Sequence, residues 1–134
     1  MAARTATAKG VRIVRGDDLA GSNETDTTRT WYAEVALQND TANTVIGGTD
    51  TLDLNLATEI QNSRRDGKTV TVRSAAVATA ALLGTTFYTA TSSLSTNTIS
   101  LTPKTADWST NATLPANSTA TIRPYMVLVV YTVA

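Results

Sequence analysis

Residues 125–133, Tyr-Met-Val-Leu-Val-Val-Tyr-Thr-Val, decide the fold. The run is rich in β-branched and aromatic residues, which suit a pleated surface. It is far shorter than the roughly 20 apolar residues a helix needs to cross a bilayer, so no membrane partner is expected. Side chains alternate along a strand. Tyr125, Val127, Val129 and Tyr131 therefore share one face, while Met126, Leu128 and Val130 share the other. A strand apolar on both faces belongs at the centre of a sheet. One face meets the domain's own core, and the other needs a second layer or a neighbouring subunit. Tyr125, Val127, Val129 and Tyr131 are thus the candidate core or interface strand.

Working back from this strand, Arg123-Pro124 marks a kink or an edge position, because proline cannot donate to a central ladder. Residues 118–122 read as a short strand before it. Residues 30–38 alternate, with Trp31, Ala33, Val35 and Leu37 on one face. Leu52, Leu54 and Leu56 continue the same period in 51–56. Asp66-Gly67 is a turn pair, and Val70 and Val72 then alternate with Thr69, Thr71 and Arg73. Residues 74–83, SAAVATAALL, are read as a continued strand, with a short helix as the alternative. Thr85–Thr91 is a further strand. Leu94, Ile99 and Leu101 mark another, which Pro103 is expected to end. No helix is expected elsewhere. The fold class is all-β: a single β-sandwich or jelly-roll-like domain over 11–134, preceded by a flexible or extended basic arm over 1–10.

Composition agrees. The chain has 134 residues, among them 27 Thr and 20 Ala, and no Cys or His. Disulfides, thiol nucleophiles and His-based triads are therefore excluded. Residues 1–10 contain no apolar stretch of the secretory kind, so synthesis in the cytoplasm is expected. Asp17, Asp18, Glu24 and Asp26 match no metal-loop spacing, and Asp50 and Asp53 sit three apart, on opposite faces of a strand. No catalytic residue, cofactor or metal is expected, and the protein is read as a non-enzyme. Trp31, Tyr32, Trp108 and Tyr125 are aromatic candidates for packing or for stacking on sugars.

Charge is distributed unevenly. The 11 basic and 11 acidic residues cancel, which argues against direct nucleic-acid binding. After residue 73 only Lys104, Asp107 and Arg123 are charged. Charged side chains are depleted at the cores of interfaces, so this half is expected to be covered in part by other subunits. Arg4, Lys9, Arg12 and Arg15 come first in the chain with no acid among them. They are the candidate partner-binding residues of the arm.

The piece 114–131, LPANSTATIRPYMVLVVY, is similar to a turn–strand–strand pattern of Ig-like and jelly-roll sandwiches. Taken with the Thr and Ala richness, the absent Cys and His, the basic start and the apolar last strand, the chain resembles small virion structural proteins of tailed bacteriophages, above all capsid cement or decoration proteins. The resemblance implies a location in the virion and the major capsid protein as partner. It also implies a homo-oligomer, with a trimer favoured. Other roles of the same style are a tail, neck or head-fibre component. A carbohydrate-binding β-sandwich module is the reading from a different class.

Overall fold

A computed structural model describes residues 3–14, 30–40, 50–114 and 121–134. Nine strands and one helix run in the order β1 (Ala3–Val14), β2 (Trp31–Asn39), β3 (Thr51–Asn55), α1 (Leu56–Arg64), β4 (Val70–Thr79), β5 (Ala81–Leu83), β6 (Thr86–Ser95), β7 (Thr98–Thr105), β8 (Thr121–Arg123) and β9 (Tyr125–Val133). They form a single sheet in the spatial order β4-β9-β2-β1-β3-β7-β6-β5-β8, nearly closed into a barrel. The all-β, one-domain architecture expected from the sequence is the one observed.

Two corners bend this sheet into two halves. The first is β1. Its residues Ala3–Thr5 pair in parallel with Thr51–Asp53 of β3, whereas Ala6–Val14 pair antiparallel with β2. A register shift between Ala8 and Gly10 puts a bulge at Lys9, a device that bends and twists a strand. The second corner is a ribbon. β4 runs through Ala80 into β5, and β8 runs through Pro124 into β9. The two paths stay paired across the bend, from Thr79↔Met126 to Leu82↔Arg123. Pro124 stands at the bend, where no ladder bond is lost, as its chemistry requires. Strands that switch between packed layers through bulges and bends are the usual way to make such corners.

The core is the inward face of both halves. Ala33, Val35 and Leu37 of β2 lie beside Val129, Val127 and Tyr125 of β9 in register, all buried. Leu52 and Leu54 face Leu101 and Ile99 across β3 and β7. Residues 3–10, expected as an arm, are extended and hydrogen-bonded into β1, and Ala6 is part of the core at 3% exposure. The Asp40 N–H donates to the Thr5 carbonyl at 3.2 Å, tying this segment to the end of β2.

Three elements depart from the sequence reading. α1 is a helix where the alternation through Leu56 predicts strand. Asn55 caps it: its side chain accepts from the Thr58 N–H at 3.1 Å. Leu56, Ala57 and Ile60 then bury one helical face, which outweighs the strand-like alternation of Leu52, Leu54 and Leu56. Arg65, in the left-handed region at φ 59°, ends the helix by donating to the Gln61 carbonyl. Second, Leu94 and Ile99 belong to a hairpin, with Thr96 at φ 56° in the turn. Third, β7 continues through Pro103 to Thr105. β3 pairs only as far as Leu101, so Pro103 lies past its end, where a missing N–H costs no ladder bond. Segment 74–83 is strand, as expected, interrupted only at Ala80.

Candidate functional site

The two halves present very different outer faces. On the half made by β1, β2, β9 and β4, registers align the outward residues in rows across the strands. Ser74, Val130, Tyr32 and Val14 form one row; Ala76, Leu128, Glu34 and Arg12 the next; Thr79, Met126, Ala36 and Gly10 the third. Most of these are apolar. Leu128 is 43% exposed, Val14 and Ala76 are exposed, and Met126, Val130, Tyr32 and Ala36 are half-buried. A shallow groove of about 350 Å³ runs along β9, between Leu128, Met126 and Glu34 on one side and Ala78 and Thr79 on the other. It opens where β4 carries a register shift between Val77 and Thr79. Arg12 and Glu34 are the charges in these rows; they approach to 3.9 Å, with side chains 78% and 40% exposed.

On the other half, β6 and β7 turn Thr89, Thr91, Ser93 and Ser95 outward beside Lys104, Thr102, Ser100 and Thr98. Asp53 and Asn55 of β3 extend the same surface. This face is mostly hydroxyls that water solvates well; at its end Phe87 is 46% exposed, with the Arg123 guanidinium 5.6 Å from its ring.

The sequence-derived site residues separate into three groups. Tyr125, Val127, Val129 and Tyr131 are all buried and face the core, so they are core residues, and the outward partners on the same strand are Met126, Leu128 and Val130. Alternation alone could not tell which of the two apolar faces is inside. Of the four cations, Arg4 reaches Asp50 through Nε and Nη2, both at 3.4 Å. Lys9 is exposed at the bulge and Arg12 lies on the apolar outer face. These three are spread along β1 and do not form one cluster. Arg15 lies outside the described residues, as do Asp17, Asp18, Glu24 and Asp26.

The aromatic candidates separate as well. Trp31 and Tyr125 are buried and Tyr32 is half-buried. The Tyr125 hydroxyl donates to the Thr89 carbonyl at 3.0 Å, and burial, with a smaller contribution from Tyr88, pushes its pKa up. Arg64 at the end of α1 lies over the Trp31 ring at 5.0 Å and the Tyr131 ring at 5.9 Å. Its Nη1 donates to the Tyr131 hydroxyl at 3.3 Å and its Nε to Asp66 at 3.0 Å. Burial acts to lower the Arg64 pKa, yet these bonds outweigh it and hold the guanidinium above its ordinary value. The same guanidinium holds the Asp66 carboxyl below the usual carboxylate range. This latch pins α1 to the barrel end and is structural.

Trp108 is different. It is 56% exposed and has a left-handed backbone, φ 66°. Asp107 orders its loop by accepting from Thr105 Oγ1 at 2.8 Å, the Ser109 N–H at 3.0 Å and Ser109 Oγ at 2.7 Å. Those bonds bring the Asp107 pKa down to about 2. Trp108 borders a small cleft of about 80 Å³ with Val77, Thr79, Thr89 and Ala90.

No family model, curated protein or solved structure matches this chain.

Proposed function

We propose that the protein is a non-enzymatic virion structural protein that binds a phage capsid shell and stabilises it as a cement or decoration protein. The observation that carries this reading is the outer face of β1, β2, β9 and β4. A contiguous apolar surface on a nearly closed β-domain suits association. Within it, β9 and most of β4 belong to the charge-poor part of the chain, while β1 contributes Lys9 and Arg12 at exposed positions and β4 contributes Arg73 beside Thr132. Apolar area and exposed cations side by side are what a cross-linking protein needs: one supplies buried surface, the other charge-assisted contacts to carboxylates of the shell. In this reading the protein works as a homo-oligomer whose partner is the major capsid protein, and its location is the virion.

Quantitative mass spectrometry of purified particles tests this directly. Hundreds of copies per particle are expected. A dozen copies or fewer would favour a tail, neck or head-fibre component, and absence from particles would overturn the reading.

The alternative is carbohydrate binding, favoured by the ordered, exposed Trp108. It predicts that Trp108 fluorescence changes on titration with oligosaccharides and that Trp108→Ala abolishes the change.

A further inference from the structure

The geometry points to a binding subsite for an N-acetylated sugar at Trp108, with the ring as stacking platform and the cleft beside it as the pocket for the acetyl group. This deepens the carbohydrate-binding reading and rests on it: it names the sugar class and a second contact. The experiment is chosen so that the inference can fail while that reading stands.

Three features of the corner where β4 turns into β5 carry this. The first is the presentation of the ring. Trp108 is 56% exposed and its backbone is left-handed, φ 66°, a region that bulky side chains rarely adopt. Its N–H donates to the Thr105 carbonyl and the Thr105 N–H to the Thr110 carbonyl, both at 2.9 Å, so the loop is closed at its base. A large ring held outward on a tied turn loses little freedom when a ligand settles on it. The apolar C–H face of a sugar packs on such a ring while the sugar's hydroxyls stay in water. The second feature is the size of the cleft. It encloses about 80 Å³ between Trp108 and Val77, Ala78, Thr79, Ala80, Thr89 and Ala90. A water takes about 30 Å³ of the liquid, so this is space for roughly two or three waters. An acetyl group fits that space and a second ring does not. The small, mainly apolar side chains around it suit the acetyl methyl. The walls are fixed, since Thr89 Oγ1 donates to the Thr105 carbonyl at 2.8 Å and the Tyr125 hydroxyl to the Thr89 carbonyl at 3.0 Å. The third feature is a positioned donor. Arg123 Nε donates to the Ala80 carbonyl at 3.2 Å, and the guanidinium lies 5.6 Å from the Phe87 ring. Ala80 also lines the cleft, so this guanidinium stands next to its wall, with further N–H groups to donate to an acetamide carbonyl. A plain hexose brings neither a methyl nor a carbonyl to this place.

Calorimetric titration of the full chain with two trisaccharides of the same linkage tests the inference, one of N-acetylglucosamine and one of glucose. The N-acetylglucosamine trimer should bind roughly tenfold more tightly, the discrimination that filling a small apolar pocket supplies. Trp108→Ala should abolish binding of both. Ala78→Leu fills the cleft and should remove the preference, while the ring still holds either sugar. Both positions are exposed, so circular dichroism should show both variants folded. Equal binding of the two trimers by the wild-type chain, or a preference that survives Ala78→Leu, overturns the inference and leaves carbohydrate binding standing. Binding that survives Trp108→Ala overturns the inference as well. No binding of either trimer overturns both.

Discussion

The two outer faces of this barrel grow from the same strand periodicity and cover the same core, yet they meet water in different ways. β6 and β7 place Thr or Ser at nearly every outward position. β9 places Met126, Leu128 and Val130 there. Both belong to the charge-poor part of the chain. Low charge therefore has two outcomes in one molecule: a face dominated by hydroxyls and a face dominated by apolar side chains. Ile99 and Leu101 of β7 are as fully buried as Val127 and Val129 of β9, so the contrast between those strands lies in their outward residues.

The largest effect separates inside from outside on one strand. Val129 is fully buried, whereas Leu128 is 43% exposed. Val129→Asp should unfold the domain, because an unpaired buried charge costs several kcal/mol of a total near 5–15 kcal/mol. Leu128→Asp should stay folded. Circular dichroism with thermal melting reads both, and equal losses would erase the distinction between the faces.

A smaller but substantial effect concerns the corner that joins the halves. Deleting residues 2–9 removes the parallel pairing of β1 with β3, the buried Ala6 and the Arg4–Asp50 pair. Stability should fall by roughly 2–3 kcal/mol as paired backbone is lost. An independent tail on the same residues would leave urea denaturation unchanged.

Tyr125 links the two halves, since its hydroxyl on β9 donates to Thr89 on β6. Tyr125→Phe should cost about 1 kcal/mol. Burial raises the Tyr125 pKa, so its contribution is complete below the unfolded value near 10 and is lost as pH rises beyond it. Wild type should therefore lose stability above about pH 10 more steeply than Tyr125→Phe; parallel curves would deny the buried bond.

The smallest effect is at the barrel end. The Asp66 pKa is depressed by Arg64, so its contribution is present above the unfolded value near 3.9 and disappears as pH falls through the lower folded value. Because the carboxylate is partly exposed, Asp66→Asn should cost no more than about 0.5–1 kcal/mol at pH 7 and less near pH 2. Chemical denaturation at the two pH values checks this.

Much of the fold is legible in the residues. Alternation in 31–38 and 125–133 identifies two central strands, and in 31–38 the inward face as well, and Asp66-Gly67 and Pro124 mark real breaks. α1 escapes because Leu52, Leu54 and Leu56 keep a period of two across the strand–helix junction; the helix shows only in the Asn55 cap and the Leu56–Ile60 spacing. Pro103 misleads because the length of β3 decides whether its missing N–H matters. The site is less legible. Buried and outward faces of β9 are both apolar, and only its neighbours β2 and β4 decide which is which. The four early cations look like one cluster in sequence, but Arg4, Lys9 and Arg12 are distributed along an extended strand on both sides of a bulge.

The absence of cysteine allows one direct measurement of the central claim, that the two outer faces differ in what they meet. Ala76→Cys places a thiol on the apolar face beside Leu128, and Ser93→Cys places one on the hydroxyl face. Thiol-labelling rates are then compared between the free protein and particles carrying it. The Ala76→Cys rate should be lower on particles, while the Ser93→Cys rate stays constant. Equal rates in both settings, or protection of Ser93→Cys alone, would contradict the account.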